Sequence, residues 1–272
     1  MRLAAFVGAA ILALPCASAA QDLSPGDIFV DCENVCPQMV VIPPGQHLLG
    51  APLNDDGSAR QRPAVHFGRP FAIGRFEITF DEWDACVADG VCRSAGVQRV
   101  GADWDRCRAR GFCSPLVVGG QGADEGWGRG RRPVINVTQS DAHQYLTWLS
   151  ERSGQTYRLP TNAEWSYAAA GGVDWPDYSN SEPADVGNFG QIVDRTLPAG
   201  AFPANRFGLF DTQGNVSELV TACENPADGP MLCAQGGNWL SPADRLEVPH
   251  RPSFLRQDDR HWGRGFRVVR EM

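Results

Sequence analysis

Nine cysteines are the most reactive residues in this chain, and their spacing gives the first reading. Cys16 lies in an apolar leader. The other eight fall into four close pairs: Cys32–Cys36, Cys86–Cys92, Cys107–Cys113 and Cys223–Cys233. Thiols so placed can ligate a metal or form crosslinks. Zinc motifs join a Cys-x2–4-Cys unit to a second such unit or to His-x3–5-His. Here Cys-x5-Cys occurs twice, and none of the five histidines has the required spacing. An even cysteine count in an exported chain reads as a disulfide framework. Eight cysteines allow about 105 pairings, and pairing sequence neighbours gives the four bridges named. Each closes a short loop, for about 2 kcal/mol in the chain-entropy model.

Other reactive groups cluster near the C-terminus. Ser241, His250, Asp258, Asp259 and His261 are the residue types of a hydrolase triad, but no Gly-x-Ser-x-Gly surrounds Ser241. They read as solvated loop residues. Arg245, Arg251, Arg256, Arg260, Arg264 and Arg267 suit an anion pocket or pairing with surface carboxylates, and pairing is preferred. Trp104, Trp127, Trp239 and Trp262 are able to stack on a ligand. All 24 basic residues are arginine, so no lysine serves as base or Schiff-base former. The formal charge of −8 argues against nucleic acid and acidic lipid as partners.

Periodicity and turn residues indicate the elements that position these groups. Met39–Pro43 and Phe71–Thr79 read as strands. Thr79-Phe-Asp-Glu82 has capping-box spacing and starts a helix to about Asp89, ended by Gly90. Ser140 or Thr138 caps a second helix, with Ala142, Tyr145, Leu146 and Leu149 on one face and Gly154 at its end. Thr161-Asn-Ala-Glu164 opens a third, closed by Gly171 and Gly172. Residues 50–63 read as a surface loop, and 172–272 as rich in turns with few periodic runs. Residues 93–133 exceed an ordinary connection and read as a disulfide-pinned insert.

The N-terminus has a signal-peptide layout over 1–20: Arg2, the apolar run Leu3–Leu14, and a small-residue cut after Ala19 or Ala20. Pro15 before Cys16 fits a lipidation box poorly. No later segment approaches the ~20 apolar residues of a membrane helix. The expected organisation is a leader over 21–37 and one domain over 38–272. The expected location is periplasmic or secreted.

Several segments, in fixed order, resemble the formylglycine-generating-enzyme (sulfatase-modifying-factor) family. They are Met39-Val-Val-Ile-Pro-Pro-Gly45, Phe71-Ala-Ile-Gly-Arg-Phe-Glu-Ile-Thr79, Arg132-Pro-Val-Ile-Asn-Val-Thr138 followed by Asp141-Ala142 and Trp148, Tyr157-Arg-Leu-Pro-Thr-Asn-Ala-Glu-Trp-Ser-Tyr-Ala-Ala169, Gly208-Leu-Phe-Asp-Thr-Gln-Gly-Asn-Val-Ser-Glu218, Gly236-Gly-Asn-Trp239 and Gly265-Phe-Arg267. The resemblance covers about 38–270. It implies an α+β variant of the C-type-lectin-like fold, low in regular secondary structure, with Trp239 in the core.

The resemblance also implies structural calcium, held by Asp211, Gly214, Val216 and Glu218 through two carboxylates and two carbonyls, hard oxygens that suit Ca²⁺. A second site would use Asn188, the Phe189 carbonyl and Asp194. The family's reaction needs Cu(I) on two cysteines, the soft thiolates Cu(I) prefers. Ser241 and Leu246 stand at those positions here, so copper is not expected. Gln139, Ser217 and Leu219 replace family tryptophans, and Gln235 an arginine, which implies a reshaped pocket. Two functions follow: a ligand- or protein-binding module without copper-dependent activity, or an oxidoreductase or maturation factor acting on an exported protein or peptide.

Overall fold

The computed structural model describes residues 22–50, 61–93, 124–173, 183–225, 229–242, 253–254 and 260–272. Residues 1–20, read above as a signal peptide, the expected Cys107–Cys113 pair, Trp104 and Leu246 lie outside them. A five-stranded antiparallel sheet forms the centre, in the order β1 (Ile28–Phe29), β2 (Met39–Ile42), β5 (Phe71–Gly74), β11 (Val269–Arg270), β6 (Tyr157–Arg158). A second sheet runs β10 (Arg264–Gly265), β7 (Ser217–Asn225), β8 (Gly229–Gln235), β9 (Ser253–Phe254), and β3 (Gly45–Leu48) pairs with β4 (Ala64–Phe67).

The run Met39-Val-Val-Ile42 is apolar at every position because both faces of the central sheet are covered. Met39, Val41 and Ala72 face the larger core, with Trp83, Tyr145 and Phe266. Val40, Ile42, Phe71 and Ile73 face the opposite way, onto Tyr167, Ala168 and Leu209. Trp83 comes from α1 (Phe80–Ala88), Tyr145 from α2 (Gln139–Ser153) and Tyr167 from α3 (Asn162–Ala170).

All three of these helices begin with a reciprocal capping box. Thr79 pairs with Glu82, Thr138 with Asp141, and Thr161 with Glu164. Thr138, not Ser140, is thus the cap of α2. Gly154 and Gly171 close α2 and α3 in the left-handed conformation, where the lack of a Cβ removes the steric cost.

Three expectations need revision. The strand from Phe71 stops at Gly74 rather than Thr79, because the chain turns beside β11: Gly74 N–H bonds Val268 O and Ile78 N–H bonds Phe266 O. The leader adds the edge strand β1, paired with β2. The C-terminal third holds the β7–β8 hairpin, the longest strand pairing among the described residues.

Candidate functional site

The chain places a charged cluster at the start of β7. Val216, Glu218 and Leu219 are all buried where β7 begins, and Glu218 enters the core fully buried. Its carboxylate receives a two-pronged contact from Arg267: Nε donates to Oε2 at 2.5 Å and Nη2 to Oε1 at 2.6 Å. Trp165 Nε1 donates to Oε2 at 2.7 Å. The remaining Arg267 donors reach the carbonyls of Gly74, Arg75 and Phe210. A planar guanidinium matches this fork; an ammonium would not.

Two more buried carboxylates surround the pair. Asp211, held at φ +53°, accepts from Gly200 N–H through Oδ2, the Phe202 N–H also lies against the carboxyl, and among the described residues no hydrogen bond reaches its buried Oδ1. Burial pushes it up to about 6, against the pull of Gly200 N–H and Arg267. Glu77 accepts from Asn215 Nδ2 at 3.1 Å, and its buried Oε2 has no hydrogen-bond partner among the described residues. Burial, with Asp211 and Glu218 nearby, holds its carboxyl well above the usual range. Three carboxylates thus share one guanidinium.

The expected calcium residues divide in two. Asp211 Oδ1 and Asn188 Oδ1 are buried oxygens with no donor among the described residues, which suits a hard cation. Asn188 and Gly214 lie side by side in a parallel bridge, and Asn215 N–H donates to Asn188 O at 2.7 Å. Phe189 is buried beside them. Glu218, by contrast, is taken up by Arg267 and Trp165, and the Asp194 side chain is 82% exposed, facing Arg195. Among the described residues no three His, Cys, Asp or Glu side chains gather to hold a metal. A cation here would therefore depend on backbone carbonyls.

Ser241 is joined to the segment that follows Asn188. Gly190 N–H donates to Ser241 O at 2.8 Å and Gln191 N–H to Trp239 O at 3.0 Å. Ser241 Oγ accepts from Asn238 N–H at 2.9 Å, and Asn238 Oδ1 from Leu240 N–H at 3.0 Å, which closes a tight turn. Trp239 packs edge-on against Trp127 with ring centres 5.5 Å apart. The indole N–H groups of Trp239 and Trp262 are buried and have no acceptor among the described residues. Glu125 reaches the same face: Asn136 Nδ2 donates to its Oε1 at 2.6 Å, and burial raises its carboxyl. Glu125 and Asn136 lie at φ +54° and +59°, a conformation costing a non-glycine residue ~1 kcal/mol or more. Sequence reasoning passed over Glu125 and Asn136. Their only signal was a conformational one, which composition does not carry.

Of the triad candidates, His261 Nδ1 accepts from Gly263 N–H, while His250, Asp258 and Asp259 lie outside the described residues. Of the arginines, Arg260 pairs with Asp141 at 2.6 Å and Arg267 with Glu218; Arg245, Arg251 and Arg256 lie outside. Disulfides join Cys32–Cys36, Cys86–Cys92 and Cys223–Cys233. No helix among the described residues is long and apolar enough to cross a membrane.

Residues 24–272 match the family model described as sulfatase-modifying factor enzyme 1-like domain. The chain is 38% identical over 110 residues to a formylglycine-generating enzyme of Mycobacterium tuberculosis, covering 34% of each chain. It is 32% identical over 131 residues to the inactive C-alpha-formylglycine-generating enzyme 2 of Mus musculus, covering 41% of this chain and 39% of that one. It spans between about a fifth and a little over half of the length of the curated relatives it matches. Among solved structures, PvdO from Pseudomonas aeruginosa superposes with a TM-score of 0.73 at 30% identity, over 92% of this chain and 100% of that one. With its mixed α+β architecture and ordered motifs, the chain belongs to the formylglycine-generating-enzyme-like, sulfatase-modifying-factor domain family.

Proposed function

We propose that this chain is an exported ligand- or protein-binding member of its family, without copper-dependent formylglycine-generating activity. The observation that carries this reading is Ser241. It stands where the family's first copper thiolate would be, and its hydroxyl closes the Asn238 turn. A neutral hydroxyl is a hard, weak donor, and Cu(I) selects soft thiolates. Leu246, at the second position, has no donor atom. The disulfides fit an oxidising compartment, periplasmic or extracellular.

Calcium is the structural ion we propose. Asp211 Oδ1 with the Gly214 and Val216 carbonyls would hold one ion, and Asn188 Oδ1 with the Phe189 carbonyl a second. A divalent charge there would offset the repulsion among Asp211, Glu77 and Glu218. Glu218 would then act through Arg267 rather than as a direct ligand.

A second reading, an oxidoreductase or maturation factor acting on an exported peptide, is favoured by the 38% identity to an enzyme of that name. Copper separates the two. Titration of the purified protein against a chromophoric Cu(I) chelator is expected to leave Cu(I) on the chelator. Stoichiometric transfer to the protein would contradict the binding reading.

A further inference from the structure

Two guanidinium groups from distant parts of the chain, those of Arg132 and Arg195, come together with little to balance them. Arg132 is partly exposed, and its Nη1 donates to the carbonyl of Thr196, the residue next to Arg195. Among the described residues the charge acting on Arg132 is that of Arg195, which adds to burial in lowering its guanidinium from the ordinary value. Arg195 has only its neighbour Asp194, with Nε 3.8 Å from Oδ1, and both side chains are exposed. The backbone under the pair is fixed from both sides. Arg132 O accepts from Phe80 N–H at 2.9 Å, and Arg131 O from Ala199 N–H at 2.8 Å. Arg195 O accepts from the buried Asn188 amide at 2.9 Å. Leu197 N–H and O both bond the side chain of buried Asn215. Like charges held together in this way repel, and an anion between them relieves the repulsion. Because the chain is already ordered, little further ordering opposes binding.

We infer that Arg132 and Arg195 form a binding site for a dianionic tetrahedral oxyanion, sulfate or phosphate, free or carried as a phosphate monoester. Guanidinium forks match the oxygen edges of such ions. Two forks arriving from separate segments address two edges of a tetrahedron, whereas a carboxylate offers one. The net charge of −8 keeps polyanions away, so the ligand is a small ion or a single monoester. The site uses neither copper position and stands independently of the binding reading.

The test is an NMR titration of the full chain with sodium sulfate, methyl phosphate, acetate and chloride at constant ionic strength. Sulfate is expected to shift the Nε–H signals of Arg132 and Arg195 and the Thr196 amide saturably, with a dissociation constant on the order of a millimolar. Arg132→Gln and Arg195→Gln are each expected to weaken it by about tenfold or more. Asp194→Asn removes the competing carboxylate and is expected to tighten it by about twofold. Arg152→Gln, at an exposed arginine of α2, is expected to leave it unchanged. Methyl phosphate binding as tightly as sulfate supports a site open to monoesters; sulfate binding alone supports the free ion. Acetate or chloride producing the same saturable shifts overturns the dianion assignment. Sulfate binding that survives both Arg132→Gln and Arg195→Gln overturns the site, as does the absence of a saturable shift with sulfate and with methyl phosphate. The backbone spectrum of each variant reports its folding, and the copper reading is judged separately, in the Cu(I) titration.

Discussion

Replacing Arg267 with Met should be among the most damaging single changes in the molecule. The side chain is fully buried, and its donors serve Glu218 and the carbonyls of Gly74, Arg75 and Phe210. Methionine fills much of the volume but donates nothing. Glu218 then keeps only Trp165 Nε1, and a buried carboxylate stripped of its partner costs ~3–5 kcal/mol. Each buried carbonyl left without a donor adds ~1 kcal/mol or more. These terms share one site and do not add fully, so the expected loss is about 5 kcal/mol. A domain has roughly 5–15 kcal/mol in all, and a chain of this size moves ~2–4 °C per kcal/mol. The melting temperature should fall by about 10–20 °C, with the urea midpoint following. The double variant Arg267→Met with Glu218→Leu removes both charges and should recover ~1–3 kcal/mol, because a buried ion pair is close to neutral against an apolar replacement. A loss under about 1 kcal/mol for the single variant, or a double variant no better than the single, would refute the reasoning.

Glu82 offers a pH test. Burial, opposed by its bonds to Thr79, lifts it from 4.5 to about 7. Above that value it is ionised in both states and the native state bears the cost; as pH falls from about 7 to about 4.5 only the native state holds the proton, so stability rises. Glu82→Gln keeps the capping box and should stabilise by ~1–3 kcal/mol at pH 8 with little change near pH 5, read from urea midpoints at the two values. Calcium should raise the melting temperature and EDTA reverse it, by ~2.7 kcal/mol at a hundredfold excess over the dissociation constant, and Asp211→Asn should blunt the response. Gly214→Ala should cost ~3 kcal/mol: at φ +80° its Cβ would collide with the Asn188 carbonyl. Gly26→Ala, at φ +91° with open space around it, should cost only ~1 kcal/mol; equal losses in thermal denaturation would contradict the packing at Asn188.

The three capped helices were legible in the sequence because their signals are local. Thr79, Thr138 and Thr161 each stand three residues before an acidic residue that bonds back. The β7–β8 hairpin was not legible: Val220 and Cys233 pack on Trp165 and Ala169 of α3, and Ser217 and Glu218 pair with β10, all distant in sequence. The pairing of Glu218 with Arg267 spans 49 residues, and no local pattern announces it. Arg267 was visible only as one of the C-terminal arginines and as the end of the Gly265-Phe-Arg267 motif; that it is buried between Phe266 and Val268 was not. Glu77 was hidden in the same way within the apolar stretch from Phe71.

The most direct test of the proposed function is mass spectrometry of a cysteine-containing sulfatase-type peptide after incubation with the purified protein, Cu(I), a thiol reductant and air, beside an active formylglycine-generating enzyme. With Ser241 and Leu246 in place of the thiolates, the peptide is expected to keep its cysteine while the control converts it. Appearance of formylglycine with the wild-type chain, at a rate above the no-protein background, would contradict the binding reading and make this chain an oxidase by other ligands.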